Sequence, residues 1–478
     1  MNLPELLALG SQRISFGASR QTMFARFPTA ARASASASNH KPLSVAFLVS
    51  DFPLLSESFV INQAVGLIER GHKVDIYTLG KRQPGVPELQ HGDVERCRLL
   101  DRTHRAIAVP ESRWRRTLKG VGLLMANFRN NPKFCWRWSK AALLGERTNL
   151  LRLLYAAAPL LGKSHDIMHC QFGTIGLTGL TMHRLGAIRG QLVTTFRGYD
   201  ISQYVRTCGD RVYENLFRKG ALFITNCAFF EGRLLKLGCD PARLIVLPSG
   251  IDCARFSPRG RVGGRDDALR LVTIGRLVEK KGIEYALRAV AKFAAARPDV
   301  DVKYTIIGDG PLWEPLLRLI EELRINDAVT MLGWRNHQQI IDILRDSDVF
   351  LGPSVTGADG NQDAPINTLK EAMALELPVI ATWHGGIPEL VQDGVSGLLV
   401  PERDADAIAK ALDYLANHRH LWARMGRAGR AFVDAHYNLH ALNDELVNIY
   451  RKASIVKRSP DVRFARSPFK LYQSKDLI

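Results

Sequence analysis

The sequence predicts an α/β protein of two Rossmann-like domains, each a parallel sheet wrapped by helices, facing one another across a crevice. Three observations carry this. Apolar runs of strand length alternate with amphipathic helical stretches from Leu43 onward, pause at a glycine- and charge-rich interval, and resume at Leu269. The chain has 478 residues, 46% apolar and 23% charged, a soluble globular composition too long for one ordinary core. Residues 350–390 read as strand, polar loop, helix, strand and a further helix start with no spare residues. That is a βαβ unit whose long first loop falls at the carboxyl edge of a sheet, where open α/β folds bind ligands.

Residues 1–42 are rich in Ser, Ala and Arg with Glu5 as the one acid, and are expected to form a disordered or over-long arm. From Leu43, LSVAFLVS reads as a buried strand, SESFVINQAVGLIERG as a helix ending at Gly71 with Ser56 or Ser58 as its cap, and KVDIYTLG as the parallel return strand. The first turn lacks the glycine cluster of a dinucleotide fingerprint, which disfavours a nicotinamide cofactor.

Residues 96–152 hold fourteen Lys or Arg against three acids, with Trp114, Trp136 and Trp138 interleaved. Cationic and aromatic side chains together suit an anionic membrane surface, and also a plain solvated face with the tryptophans in the core. The apolar run 150–162 is broken by Arg152 and is shorter than the ~18 residues of a membrane span, so a buried helix is expected. Lys plus Arg total 65 and Asp plus Glu 47, a formal charge of +18 that calls for an anionic partner. No nucleic-acid-binding module is recognisable, so nucleic acid is not the expected partner. The seven cysteines form no C-x-x-C pair, arguing against a disulfide or zinc framework.

Next come HDIMHCQFG, with His169 and Gln171 at a strand end, and QLVTTFRGYD, with Arg197 and Asp200 just past another; these are candidate crevice residues of the first domain. His169 equally suits a satisfied core histidine. The second domain runs through LRLVTIGRL, GIEYALRAVAKFAAA, VKYTIIGDG, PLWEPLLRLIEELR and AVTMLGW, with Pro311 starting a helix. Gly275 and Arg276 end its first strand and Lys281 follows; a forked guanidinium and an ammonium on one loop can divide two adjoining phosphates, unless Arg276 pairs locally with Glu279. In the 350–390 unit, Asp363 lies in the loop and Glu371 eight positions on, in a helix introduced by Pro365 and Asn367. Two carboxylates beside a helix amino end suit a ligand bearing both hydroxyls and phosphate, a nucleotide sugar. Alternatively Glu371 is a solvated helix residue and Asp363 a turn former. Gly385 and Gly386 allow backbone to approach a sugar phosphate.

The stretch DAPINTLKEAMALELPVIAT, with its paired carboxylates, resembles the donor-site signature of the retaining glycosyltransferase family 4, and DFPLLSESFVINQ resembles the subgroup that assembles exopolysaccharides such as colanic acid. The resemblance spans roughly 43–452 and implies a GT-B fold. It implies first-domain residues 43–252, a 253–268 hinge, a nucleotide-sugar domain at 269–440, a 441–452 helix returning to the first domain, and a basic 453–478 tail. It implies Asp363, Arg276 and Lys281 as catalytic residues, and a donor site of Gly275, Arg276, Lys281, Asp363, Asn367, Thr368, Leu369 and Glu371, the last holding ribose hydroxyls. Expected with it are retention of anomeric configuration, no cofactor and no metal, a nucleotide-sugar donor, a saccharide acceptor carried on lipid, and a place on the cytoplasmic face of a membrane. Two positions depart from the family: Asp363 replaces its usual Glu, and Arg197 its usual His. An arginine cannot act as a base near neutrality, though it can clamp a phosphate or developing negative charge. A nucleotide-sugar epimerase on the same plan is the rival enzyme, and a basic nucleic-acid binder the rival non-enzyme.

Overall fold

The structure, a computed structural model, describes residues 41–54, 57–80, 92–129, 131–143, 150–258 and 268–456. The expected N-terminal arm up to residue 40, most of the hinge and the tail beyond residue 456 lie outside them. The described residues from Leu43 onward form one compact unit containing both sheets.

The first sheet has seven strands in the order β3-β2-β1-β4-β5-β6-β7, all parallel. They are β1 Ser44–Val49, β2 Lys73–Thr78, β3 Thr103–Arg105, β4 Ile167–Cys170, β5 Gln191–Phe196, β6 Leu222–Thr225 and β7 Leu244–Val246. The second has six parallel strands in the order β10-β9-β8-β11-β12-β13: β8 Leu269–Ile274, β9 Val302–Ile307, β10 Val329–Gly333, β11 Val349–Gly352, β12 Val379–Thr382 and β13 Gly397–Val400. Both sheets are covered on both faces, so their strands read as continuous apolar runs rather than alternating ones. In each, the chain builds outward on one side and then restarts on the other, reversing at β1/β4 and at β8/β11. These switch points open a crevice at the carboxyl edge.

Helix Ser58–Glu69 begins at Ser58, so Ser58 is not its cap; Glu57 holds that position without a side-chain bond. The helix expected from Pro311 begins at Trp313. Leu150–Ala157 is a short helix followed by a 3-10 turn, and no helix of the described residues is long and apolar enough to cross a membrane. All seven cysteines are unpaired thiols.

The C-terminal helix Leu439–Val456 lies against the first sheet, placing Leu446, Ile449 and Tyr450 in one core with Val45, Phe47, Val60 and Ile61. It packs so closely on helix Ser58–Glu69 that a Cβ on Gly66 would overlap Asn443.

Helix Arg113–Phe128 buries Gly120 against Leu151 and Leu154 of the next layer. Its other face is bare. Trp114, Leu118, Val121, Met125 and Phe128 recur at helical spacing and are exposed, Trp114 by 76% and Met125 by 72%. Trp136 on helix Pro132–Leu143 is exposed under Lys140, whereas Trp138 is half-buried and donates to Leu150 O.

Candidate functional site

Four neighbouring strands of the second sheet each deliver polar groups to one spot just past their carboxyl ends. After β8, the turn Glu279–Lys281 presents two ammonium groups; after β11 come Ser354 and the loop reaching Asp363; after β12 stands His384; after β13, Glu402. Lys281 Nζ lies 2.8 Å from Asp363 Oδ2 and Lys280 Nζ 2.9 Å from Oδ1. Ser354 Oγ donates to Oδ2 at 3.0 Å. The Asp363 amide donates to His384 Nε2 at 2.9 Å, and His384 Nδ1 is 2.7 Å from Glu402 Oε1.

Burial pushes the Asp363 carboxyl upward, but the two lysines outweigh it and hold the group well below the usual carboxylate range. Lys281 is lowered, first by burial and then by Lys280 and Arg276, with Asp363 pulling the other way. Lys280, Lys281 and exposed Arg276 gather three positive charges on one loop, set against Asp363 and a Glu402 carboxylate that is taken up by His384 and Thr356. Among the described residues Arg276 makes no side-chain hydrogen bond or ion pair. Its alternative partner Glu279 instead accepts from the Ala358 amide and lies 3.5 Å from Arg403. A site of this charge, open at one arginine, fits a diphosphate.

Glu371 is half-buried on helix Asn367–Ala374, its carboxyl pushed up to about 7 by burial, with Lys370 opposing. The helix amino end carries no side-chain cap. Thr368 Oγ1 donates to Ile274 O and Asn367 Oδ1 accepts from Lys370, while Leu369 is fully buried and can offer a ligand only backbone. Gly275 packs over the Lys281 stem. Of the glycine pair, Gly386 N already donates to Asp363 O at 3.1 Å, and a Cβ on Gly385, at φ 52°, would strike that same carbonyl. These glycines let the Asp363 loop sit close, and the Gly386 amide is already taken by it.

The first-domain candidates correct the sequence reading. His169 does not face the crevice: it is fully buried, with Nδ1 2.5 Å from Tyr450 Oη and Nε2 2.6 Å from Thr195 Oγ1, and burial pushes it down to about 3. It ties the C-terminal helix to the first sheet. Asp200 is equally enclosed, its carboxylate accepting the amides of Gly173, Arg197 and Gly198, which makes it the anchor of its own turn. Arg197 donates one N–H from each terminal nitrogen, to Gln171 and Ser249, and lies over the Phe59 ring at 3.7 Å, so its guanidinium is fixed within the first domain. Its Nε and the nearby Glu57 Oε2 are buried without partners. Burial raises Glu57 to about 7, with Arg197 opposing.

The two halves meet around this site. Lys370 Nζ donates to Ser249 O at 2.8 Å, Arg206 reaches Ala358 O at 2.8 Å, and the Glu389 carboxylate accepts the amides of Ala228 and Phe229 at 2.8 and 2.7 Å.

Residues 57–250 match the Glycosyl transferase 4-like domain and residues 259–432 the family Glycosyl transferases group 1. The putative colanic acid biosynthesis glycosyltransferase WcaL of Salmonella typhimurium is 34% identical over 419 residues, which is 85% of this chain and 99% of that one. The chain belongs to the group 1 glycosyltransferases. The amylovoran biosynthesis glycosyltransferase AmsK of Erwinia amylovora is 30% identical to this glycosyltransferase over 416 residues, covering 86% and 100% of the two chains. Among solved structures, Anabaena HepE in complex with UDP and glucose superposes with a TM-score of 0.62 at 17% identity, covering 85% of this chain and 98% of that one. Sucrose-phosphate synthase from Thermosynechococcus elongatus gives 0.62 at 19%, covering 86% and 99%. At such identities the likeness concerns the fold, and that fold is GT-B: two Rossmann-like domains across a crevice.

Lys280, Ser354, His384, Glu402 and Glu57 escaped the sequence reading. Lys280 adjoins a matched residue and was within reach of it. Glu402 follows an ordinary strand, and nothing local marks it.

Proposed function

We propose that this glycosyltransferase moves a hexosyl group from a nucleotide sugar to a saccharide acceptor on a lipid carrier, with retention of anomeric configuration, in exopolysaccharide assembly. The observation that carries the reading is the near full-length identity to the colanic acid enzyme, with the lysine-clamped Asp363 at the crevice in support. Arg276 and Lys281 bind the diphosphate, Glu371 the ribose hydroxyls and Asp363 the sugar. As the leaving diphosphate gains charge, the ammonium and guanidinium groups stabilise it without a metal ion. The exposed stripe on helix Arg113–Phe128, flanked by Arg115, Lys119, Arg129, Lys133 and Arg137, seats the first domain on the anionic cytoplasmic face of a membrane, where a lipid-borne acceptor reaches the crevice.

A screen of UDP-glucose, GDP-mannose and other nucleotide sugars, scored by nucleotide release with and without saccharide acceptor, tests the reading. One donor should be consumed faster with acceptor, with EDTA making no difference and the product keeping the donor's anomeric configuration. Conversion of a donor without acceptor into an epimeric nucleotide sugar would replace the transferase by an epimerase. A wild-type rate in Asp363→Ala would remove that residue from the reaction.

A further inference from the structure

The side chain of Asp363 is held by lysines, but its backbone is held separately, through His384. The imidazole is fully buried between two groups of fixed character. An amide N–H only donates, so His384 Nε2, 2.9 Å from Asp363 N, must accept. The ring proton is then on Nδ1, where Glu402 Oε1 accepts it at 2.7 Å. Only the neutral Nδ1–H tautomer satisfies both contacts. The same Glu402 carboxylate accepts the Thr356 amide at 2.7 Å. Thr356 opens the loop that Asp363 closes, so one carboxylate secures both ends of it, the far end by way of a histidine.

We propose that His384 and Glu402 are a positioning pair for the sugar-side carboxylate, fixing how deep Asp363 sits and releasing it when His384 takes up a second proton. An imidazolium would aim N–H at N–H, losing one of the two bonds that hold the Asp363 backbone to the turn after β12 and leaving only the Gly386 amide on the Asp363 carbonyl. The charged groups facing the ring are Glu402 from the turn after β13, Asp363 from the loop, and Lys281 from the turn after β8. Burial, the largest influence, lowers the imidazole below its ordinary value; the two carboxylates oppose and Lys281 reinforces. Release therefore falls on the acid side of the usual histidine range. The pair also gives the short Asp363 a meaning: a side chain with less reach needs a backbone whose position is set.

This inference rests on Asp363 as the sugar-contacting group, so its first test uses no donor. His384→Gln keeps an accepting oxygen that cannot be protonated, and His384→Phe fills the ring volume with no nitrogen. In hydrogen exchange of the ligand-free protein, corrected for intrinsic rates, the peptide covering 356–366 should exchange about tenfold faster in His384→Phe. In wild type it should quicken as the pH falls below the ordinary histidine value of about 6.5, and in His384→Gln it should not. Wild-type exchange in His384→Phe would overturn the proposal. With UDP-glucose or GDP-mannose as donor, His384→Phe should lose about ten- to a hundredfold in kcat with KM within about threefold, and His384→Gln should recover most of the rate and lack the acid limb. Equal losses in both variants with an unchanged pH profile would also overturn it. Exchange as expected, but no turnover of either sugar by wild type, would count against the donor reading and for the pair.

Discussion

Arg276 and Lys281 have matching roles in the proposed donor site but opposite standing in the free protein, and their alanine variants should diverge accordingly. Either should raise the donor dissociation constant by ~10- to 100-fold, since each removes one charge-assisted contact. Arg276 is exposed and unpartnered among the described residues, so Arg276→Ala should melt like wild type. Lys281 stands in a nearly enclosed pair with Asp363, its side chain only 14% exposed. Lys281→Ala should therefore cost about 2 kcal/mol of stability as well, less than the ~3–5 kcal/mol of a fully abandoned buried charge because Lys280 keeps the other oxygen. Thermal melting beside donor titration separates the two. Glu371 allows a pH test. Burial raises its carboxyl to about 7, so the acceptor form is lost as pH falls through that value. Nucleotide affinity should drop by about tenfold per pH unit below about 7 and be level above it, and Glu371→Gln should abolish the slope; a flat profile in wild type would exclude a carboxylate on the ribose. Lys281, Asp363 and Glu371 stood out in the sequence because they match a family motif at fixed offsets from strands and helices, and the structure brings Lys281 and Asp363 together. His384 and Glu402 did not, because their meaning depends on β11, β12 and β13 following one another across the sheet, a fact of sheet order that no local window contains.

At the level of elements, strands buried on both faces declare themselves as apolar runs. The exception, Thr103–Arg105, is three residues long, basic, and made a strand only by pairing at the edge with Ile76–Thr78. The segment around it was readable in composition and ambiguous in arrangement: periodicity cannot say which face of helix Arg113–Phe128 turns inward. Gly120 settles that, because the close approach of Leu151 there commits the opposite side to the outside. If that stripe meets lipid, Leu118→Ser with Met125→Ser should cut sedimentation with anionic vesicles at least about fivefold while leaving donor hydrolysis in solution unchanged. Binding of wild type should weaken with salt and be poor on neutral vesicles. Equal sedimentation of wild type and the double variant would leave the stripe without a membrane role.

Across the whole molecule, the helix Leu439–Val456 does most to join the two ends of the chain. Arg70 pairs with Asp444, Asn443 donates to Asn62 O, and Tyr450 meets His169 inside the first domain. Tyr450→Phe, which removes one hydrogen bond and leaves His169 Nδ1 only the longer 3.4 Å contact with Gln171, should destabilise by ~1–3 kcal/mol in thermal or denaturant unfolding. A chain ended at Asn438 should fare worse, exposing the surface that Leu446, Ile449 and Tyr450 cover, and should bind a hydrophobic dye that the full chain ignores. The order of synthesis gives this arrangement its sharpest consequence. β1 to β7 leave the ribosome first, yet one face of their sheet, covered in part by helix Ser58–Glu69, is not closed until the last helix follows. The apolar clusters of the second domain draw their buried residues from between Ile251 and Tyr437, all translated before that helix. The half made second can thus be complete before the half made first, and for that interval the nascent chain carries a partly uncovered apolar face for a chaperone to shield.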